Sequence, residues 1–214
     1  MMLALKLRPP PRQILGASPA VLAEVLLDNV NLSVWQRRLP AQLEDFCQQL
    51  LASGEPLAES RVIECEGVWR SGLQDLARGF AGPEGHAAFI ADVVWLVEAF
   101  SELLDAQRVG LRLRVLDKAM CPRFHVDHVP VRLISTYAGI ASDWLEEGAM
   151  DRRRLGEAGA EPSDATRIHA LQPGDVALLK GERWQGNEGA GLIHRSPQPK
   201  PGERRLLLTL DWLA

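Results

Sequence analysis

Apolar residues recur at helical spacing in three places along the first half of the chain. Ser18 before Pro19 has the form of an N-cap followed by proline in the first turn, and Val21, Leu22, Val25 and Leu26 then step by three and four residues. This predicts a short helix ending near Asn29. Pro40 opens a second helix whose Leu43, Phe46, Cys47 and Leu50 share one face, and the stretch from Gly54 to Pro56 closes it. The longest stripe is Phe89, Val93, Leu96, Phe100 and Leu103, which predicts an amphipathic helix from about Pro83 to Asp105 that packs on something flat. Between the first two helices, residues 30–35 alternate apolar and polar side chains, as a strand does.

From Val109 onward the period changes. Leu111, Leu113 and Val115 alternate with Arg112 and Arg114, which is strand periodicity. Residues 131–137, 175–179 and 205–212 are further strand candidates, the middle one introduced by the turn Gln172-Pro173-Gly174-Asp175. The charged, Gly- and Ala-rich stretch from Glu146 to Arg167 reads as a loop or a short exposed helix. Helices first and strands later imply an α+β fold. We expect one domain over 1–214, with 1–108 mainly helical support and 109–214 forming two stacked antiparallel sheets.

Composition narrows the function classes. Hydrophobic residues at 46% and charged residues at 24% suit a globular protein, and a formal net charge of -4 supplies no basic field for nucleic acid. The apolar run near the N-terminus is too short for a secretory segment, and no stretch has the roughly 18 apolar residues of a membrane span, so a cytoplasmic location without membrane association is expected. Three cysteines, Cys47, Cys65 and Cys121, are an odd count without a C-x-x-C pair, which argues against a disulfide framework or a zinc ribbon.

The candidate chemistry lies in Phe124-His125-Val126-Asp127-His128. His125 and Asp127 are two residues apart, so on an extended strand both side chains leave one face and can meet a single metal ion. His128 lies on the other face unless a bulge intervenes. Downstream come the Pro-Gly turn at 173–174, then His194, then an arginine-rich start to the last long strand. In order and type these features resemble the iron(II)/2-oxoglutarate-dependent dioxygenase superfamily, over about residues 109–214. The stretches CPRFHVDHVPVRLISTY and HRSPQPKPGERRLLLTLDW also resemble an uncharacterised bacterial domain family, from which no activity carries over.

The superfamily resemblance implies a double-stranded β-helix, or jelly-roll, barrel with the N-terminal helices packed on it. It implies Fe(II) held by His125, Asp127 and His194, a facial triad that leaves positions open for 2-oxoglutarate and oxygen. It also implies an arginine on the last strand for the far carboxylate of 2-oxoglutarate. Arg204 and Arg205 both stand there and point to opposite faces. Arg205 shares its face with Thr209 and Asp211, whereas Arg204 shares one with Leu206, Leu208, Leu210 and Trp212. Arg205 and Thr209 are therefore the expected oxoacid contacts, unless Asp211 pairs with Arg205 instead. The rival reading is a zinc-binding or metal-handling protein in which Cys121 or His128 closes the coordination sphere. Tyr137, the only tyrosine, suits a half-buried structural role better than substrate contact. The substrate, small molecule or peptide, is left open, as is the oligomeric state.

Overall fold

The structure, a computed structural model, describes residues 9–67, 69–157, 159–162 and 164–213. Among the described residues ten strands, β1 (Arg12–Gly16), β2 (Val30–Trp35), β3 (Ala58–Glu64), β4 (Arg108–Leu116), β5 (Val131–Ala138), β6 (Asp143–Leu145), β7 (Ile168–Ala170), β8 (Val176–Lys180), β9 (His194–Arg195) and β10 (Arg205–Leu213), form two sheets. The larger has the order β1-β2-β8-β5-β10-β4-β3 and is open at both edges; the smaller is β7-β6-β9. Two α-helices, α1 (Ala41–Ala52) and α2 (His86–Leu104), complete an α+β, jelly-roll-like arrangement.

The expected boundary near residue 108 does not divide the molecule. β3 pairs antiparallel with β4, and β2 pairs antiparallel with β8, so the first half supplies three of the seven strands of the large sheet. The reason is that β8, β5, β10 and β4 alone would expose two unpaired edges, and the N-terminal strands cover them. A further departure is β1, which runs parallel to β2. Their connection contains Pro19–Leu26, the short helix expected there, which is of the 3-10 kind, with the Ser18 hydroxyl accepting from the amide of Ala20.

The helices lie on one face of the large sheet, where α1 approaches β5 and β10, and α2 approaches β10 and β4. Leu43, Phe46 and Leu50 of α1 and Phe89, Val93 and Phe100 of α2 are buried there against Leu111, Leu133, Leu206, Leu208 and Leu210. Burying one such side chain contributes about 1.5–3 kcal/mol, so this layer is the main source of stability. Tyr137 belongs to it: its hydroxyl donates to Asp92 Oδ2 at 2.6 Å, Arg37 donates to both oxygens of Asp92, and its ring meets Phe89 edge-on at 5.0 Å.

The opposite, inner face carries Leu32, Val34, Ile134, Ala177, Leu179 and Leu207, which pack against Trp144 of the small sheet. A bulge aligns the two faces at the start of β10. Leu206 pairs with Ala138 and Leu207 with Thr136, so Tyr137 is the extra residue. The chain then turns at Gly139, where φ is +83° and a Cβ would come within 2.3 Å of the Arg204 carbonyl oxygen. Only glycine allows that approach.

Candidate metal and acid site

The site is built on the free edge of the small sheet. His194 of β9 and His125 form an antiparallel bridge, each donating its amide to the other's carbonyl at 3.0 Å. Residues directly opposite in such a pair project from the same face, and the imidazole centroids are 4.5 Å apart. Two residues further on, Asp127 brings its carboxylate to 3.8 Å from His125 Nε2 and 3.5 Å from His194 Nε2. One ligand atom from each of the three residues lies within 4.8 Å of the others. That grouping is the one expected from His125, Asp127 and His194.

Each histidine is oriented by its other ring nitrogen. His125 Nδ1 is 3.0 Å from the Arg123 carbonyl and His194 Nδ1 is 3.1 Å from the Leu192 carbonyl. A carbonyl can only accept, so each Nδ1 donates and each Nε2 is the ring nitrogen turned to the cluster. Burial lowers the pKa of His194 to about 4; Asp127 opposes this and His125 reinforces it, so the imidazole is neutral at pH 7. Two imidazole nitrogens and a carboxylate form a donor set that suits Fe(II) or Zn(II). His128 lies outside the cluster and Cys121 is exposed outside it, so neither closes a fourth position.

Asp127 is held from two sides. Arg132 Nη1 donates to Asp127 Oδ2 at 2.9 Å, while its Nε and Nη2 donate to the two oxygens of Asp211 at 2.6 and 3.2 Å. Arg112 Nη1 adds a bond to Asp211 Oδ2 at 2.7 Å. Asp211 is thus committed to Arg112 and Arg132, and does not pair with Arg205. The backbone of the Asp127 loop is fixed by β8's exit: Glu182 donates its amide to the Asp127 carbonyl at 2.9 Å, and a Cβ on Gly181 would lie 2.6 Å from that same oxygen and 2.2 Å from Val129 O.

The adjacent arginines diverge. Arg204 turns to the helix side, where it donates to the carbonyls of Leu51 and Glu55 at the end of α1. Arg205 points inward and is 0% exposed. Its Nη1 and Nη2 reach Ser196 Oγ at 3.3 Å and Ser142 Oγ at 3.2 Å, and its Nε has no partner among the described residues. Burial pushes its pKa down to about 10, partly offset by Asp143, so it stays charged at pH 7. Thr209 shares this face, but it is four residues along the strand, roughly 13 Å at 3.3 Å per residue. The hydroxyls at the guanidinium are therefore those of Ser142 and Ser196, in place of the expected Thr209. Ser196 lies two residues beyond His194, which links the arginine to the triad.

Arg132, Ser142, Ser196 and Gly181 went unnoticed in the sequence. Only Arg132 had a signal, a charge on a strand that otherwise reads as buried, five residues after Asp127.

The chain belongs to a protein family, described as "Protein of unknown function (DUF1826)", whose model matches residues 16–211. No curated protein matches the sequence. Among solved structures, a dioxygenase for auxin oxidation from rice superposes with a TM-score of 0.51 at 11% identity, covering 86% of this chain and 74% of that one. A Pseudomonas putida prolyl-4-hydroxylase, with TM-score 0.44, 13% identity and coverage of 90% and 97%, is also similar. So is an oxidoreductase of the 2OG-Fe(II) oxygenase family from Burkholderia pseudomallei, with TM-score 0.44, 11% identity and coverage of 94% and 95%. The rice enzyme establishes a shared fold. Among the described residues no helix is long and apolar enough to cross a membrane.

Proposed function

We propose that this protein is an Fe(II)- and 2-oxoglutarate-dependent oxygenase built on a double-stranded β-helix. The observation that carries this reading is the convergence of His125, Asp127 and His194 on one ion-sized volume, with no fourth protein ligand among the described residues. A site with three protein ligands keeps positions open for small molecules, whereas a structural zinc site is closed by four. Arg205 supports the same reading, because a buried guanidinium hydrogen-bonded to hydroxyls and in no ion pair among the described residues is matched to an incoming acid.

In this reading His125 Nε2, His194 Nε2 and one Asp127 oxygen hold the ion, and Arg132 keeps the second Asp127 oxygen engaged. Arg205, helped by Ser142 and Ser196, binds the far carboxylate of 2-oxoglutarate, and Thr209 lines the same face nearer Asp211. When bound, Fe(II) together with 2-oxoglutarate and oxygen supplies the oxidising power to hydroxylate a C–H bond of the substrate. The chain's own residues orient the oxoacid and exclude water from its buried end. A small molecule or a peptide is the substrate class, with no role for nucleic acid. The superfamily resemblance, the shared fold and the donor set all favour this over a metal-handling role.

The test is anaerobic addition of Fe(II) and then 2-oxoglutarate. A visible charge-transfer absorption that appears only with both present, and is lost in His194→Ala, is expected. Tight metal binding with no absorption change on adding the oxoacid would replace the oxygenase reading with the zinc-binding one.

A further inference from the structure

Four buried side-chain polar atoms have no hydrogen-bond partner among the described residues: Arg114 Nε, Ser135 Oγ, Thr136 Oγ1 and Arg205 Nε. Ser135 is paired with Leu208, on the helix-covered face. The other three surround one inner-face side chain. Arg114 and Thr136 are the cross-strand partners of Leu207 on its two sides, and Arg205 is two residues from it along β10. A buried donor or acceptor left unmet is costly, so three of them around Leu207 mark a place that a polar ligand completes.

The chemistry of that ligand follows from the charges. Neither Arg114 nor Arg205 takes part in any of the ion pairs among the described residues, whereas Arg112 and Arg132, on the same face, are neutralised by Asp211 and Asp127. Arg205 pairs across the strands with Leu116, so Arg114 is its diagonal neighbour, about 7–8 Å away between backbones and within reach of a common ligand for side chains this long. Arg114 is half-buried, and beyond it the inward positions of β3, Ala58, Ser60 and Val62, are exposed. It stands where the covered part of the inner face meets the open part.

We propose that Arg114 is a second anion-binding residue of this site, holding a carboxylate over Leu207 while Arg205 holds another deeper in. The inference rests on the reading of the inner face as an acid-binding site. The second carboxylate comes either from the other end of the same dicarboxylate or from a separate substrate molecule.

Titration calorimetry of the full chain, freed of metal by a chelator, separates these sources. Glutarate and pentanoate have the same chain length with two carboxylates and one. If one molecule spans both arginines, Arg114→Gln weakens glutarate about tenfold or more, to the level of pentanoate, and leaves pentanoate itself unchanged. If a separate molecule is held, Arg114→Gln leaves glutarate unchanged and removes the binding of acetate to glutarate-saturated protein. Either result supports the assignment. It is overturned if Arg114→Gln alters none of these affinities, or if it lowers glutarate and pentanoate alike, which would make Arg114 a support for the pocket wall. Arg205→Gln, run beside it, should lose both acids. Because no metal is present, failure at Arg114 with loss at Arg205 leaves the oxygenase reading standing, and failure at both removes the oxoacid half of that reading while leaving the triad.

Discussion

The two faces of the seven-stranded sheet are made by the same strands, yet they differ in how completely their polar groups are matched. On the helix-covered face Tyr137, Asp92 and Arg37 form a closed set of hydrogen bonds inside an apolar layer, and Arg204 is spent on the carbonyls at the end of α1. On the inner face Arg114, Thr136 and Arg205 keep buried atoms without partners among the described residues, on the same face as Arg132, which holds Asp127 of the metal-competent cluster. Arg204 and Arg205 are neighbours of the same type, so the residue alone does not decide the role. The face does: on the helix side Arg204 is spent on backbone carbonyls, and on the inner face Arg205 keeps a buried donor for a ligand.

Substitutions on the two faces should separate stability from binding. The largest effects come from one residue on each. Asp127→Ala should abolish stoichiometric metal binding in a protein that still melts cooperatively, whereas Phe89→Ala should cost about 3–5 kcal/mol of stability while the folded fraction still binds one ion per chain. Metal titration and chemical denaturation on both variants check this, and a metal-binding loss in Phe89→Ala would blur the division. Next is Arg132→Gln, which removes the clamp on Asp127 and should weaken metal affinity by about 10–100-fold. Unchanged affinity would show that Asp127 is positioned by its backbone alone.

Arg205→Met sharpens the comparison further. An unpaired buried charge is replaced by an apolar side chain of similar length, so stability should hold or rise, while affinity for 2-oxoglutarate falls about ten- to a hundredfold. A large drop in melting temperature would mean that Arg205 belongs with the structural arginines. The smallest effect is expected from Arg204→Ala, about 1 kcal/mol from lost carbonyl contacts, with acid binding untouched. A larger loss of oxoacid binding at Arg204 than at Arg205 would reverse the assignment of faces.

The period-two pattern is why so much of this was readable before the structure. Arg204 and Arg205 on two faces follow from strand geometry alone, as do β4, β5 and β10, whereas His125 makes only a single bridge and Asp127 stands on a loop, not on the extended strand that the spacing predicts. The long stripe of α2 was equally plain. What escaped has physical reasons. β6, β7 and β9 are two or three residues long, too short to show a period, and the proline-flanked β1 exists because β2 offers it an edge. β3 alternates only loosely, since its inward positions face solvent. The Arg132–Asp127 and Arg205–Ser142 contacts depend on strand order, which no local pattern records. Gly181 matters only because a loop from elsewhere passes within contact of it.

The central claim is that the inner face holds one metal ion and one acid in adjacent positions. Anomalous diffraction at the iron edge, from crystals grown without oxygen in the presence of Fe(II) and 2-oxoglutarate, tests it directly. The account predicts one iron peak per chain, bonded to His125 Nε2, His194 Nε2 and Asp127, with the oxoacid's far carboxylate on Arg205. An iron peak away from these three residues, or an oxoacid bound elsewhere while Arg205 stays on Ser142 and Ser196, would contradict it.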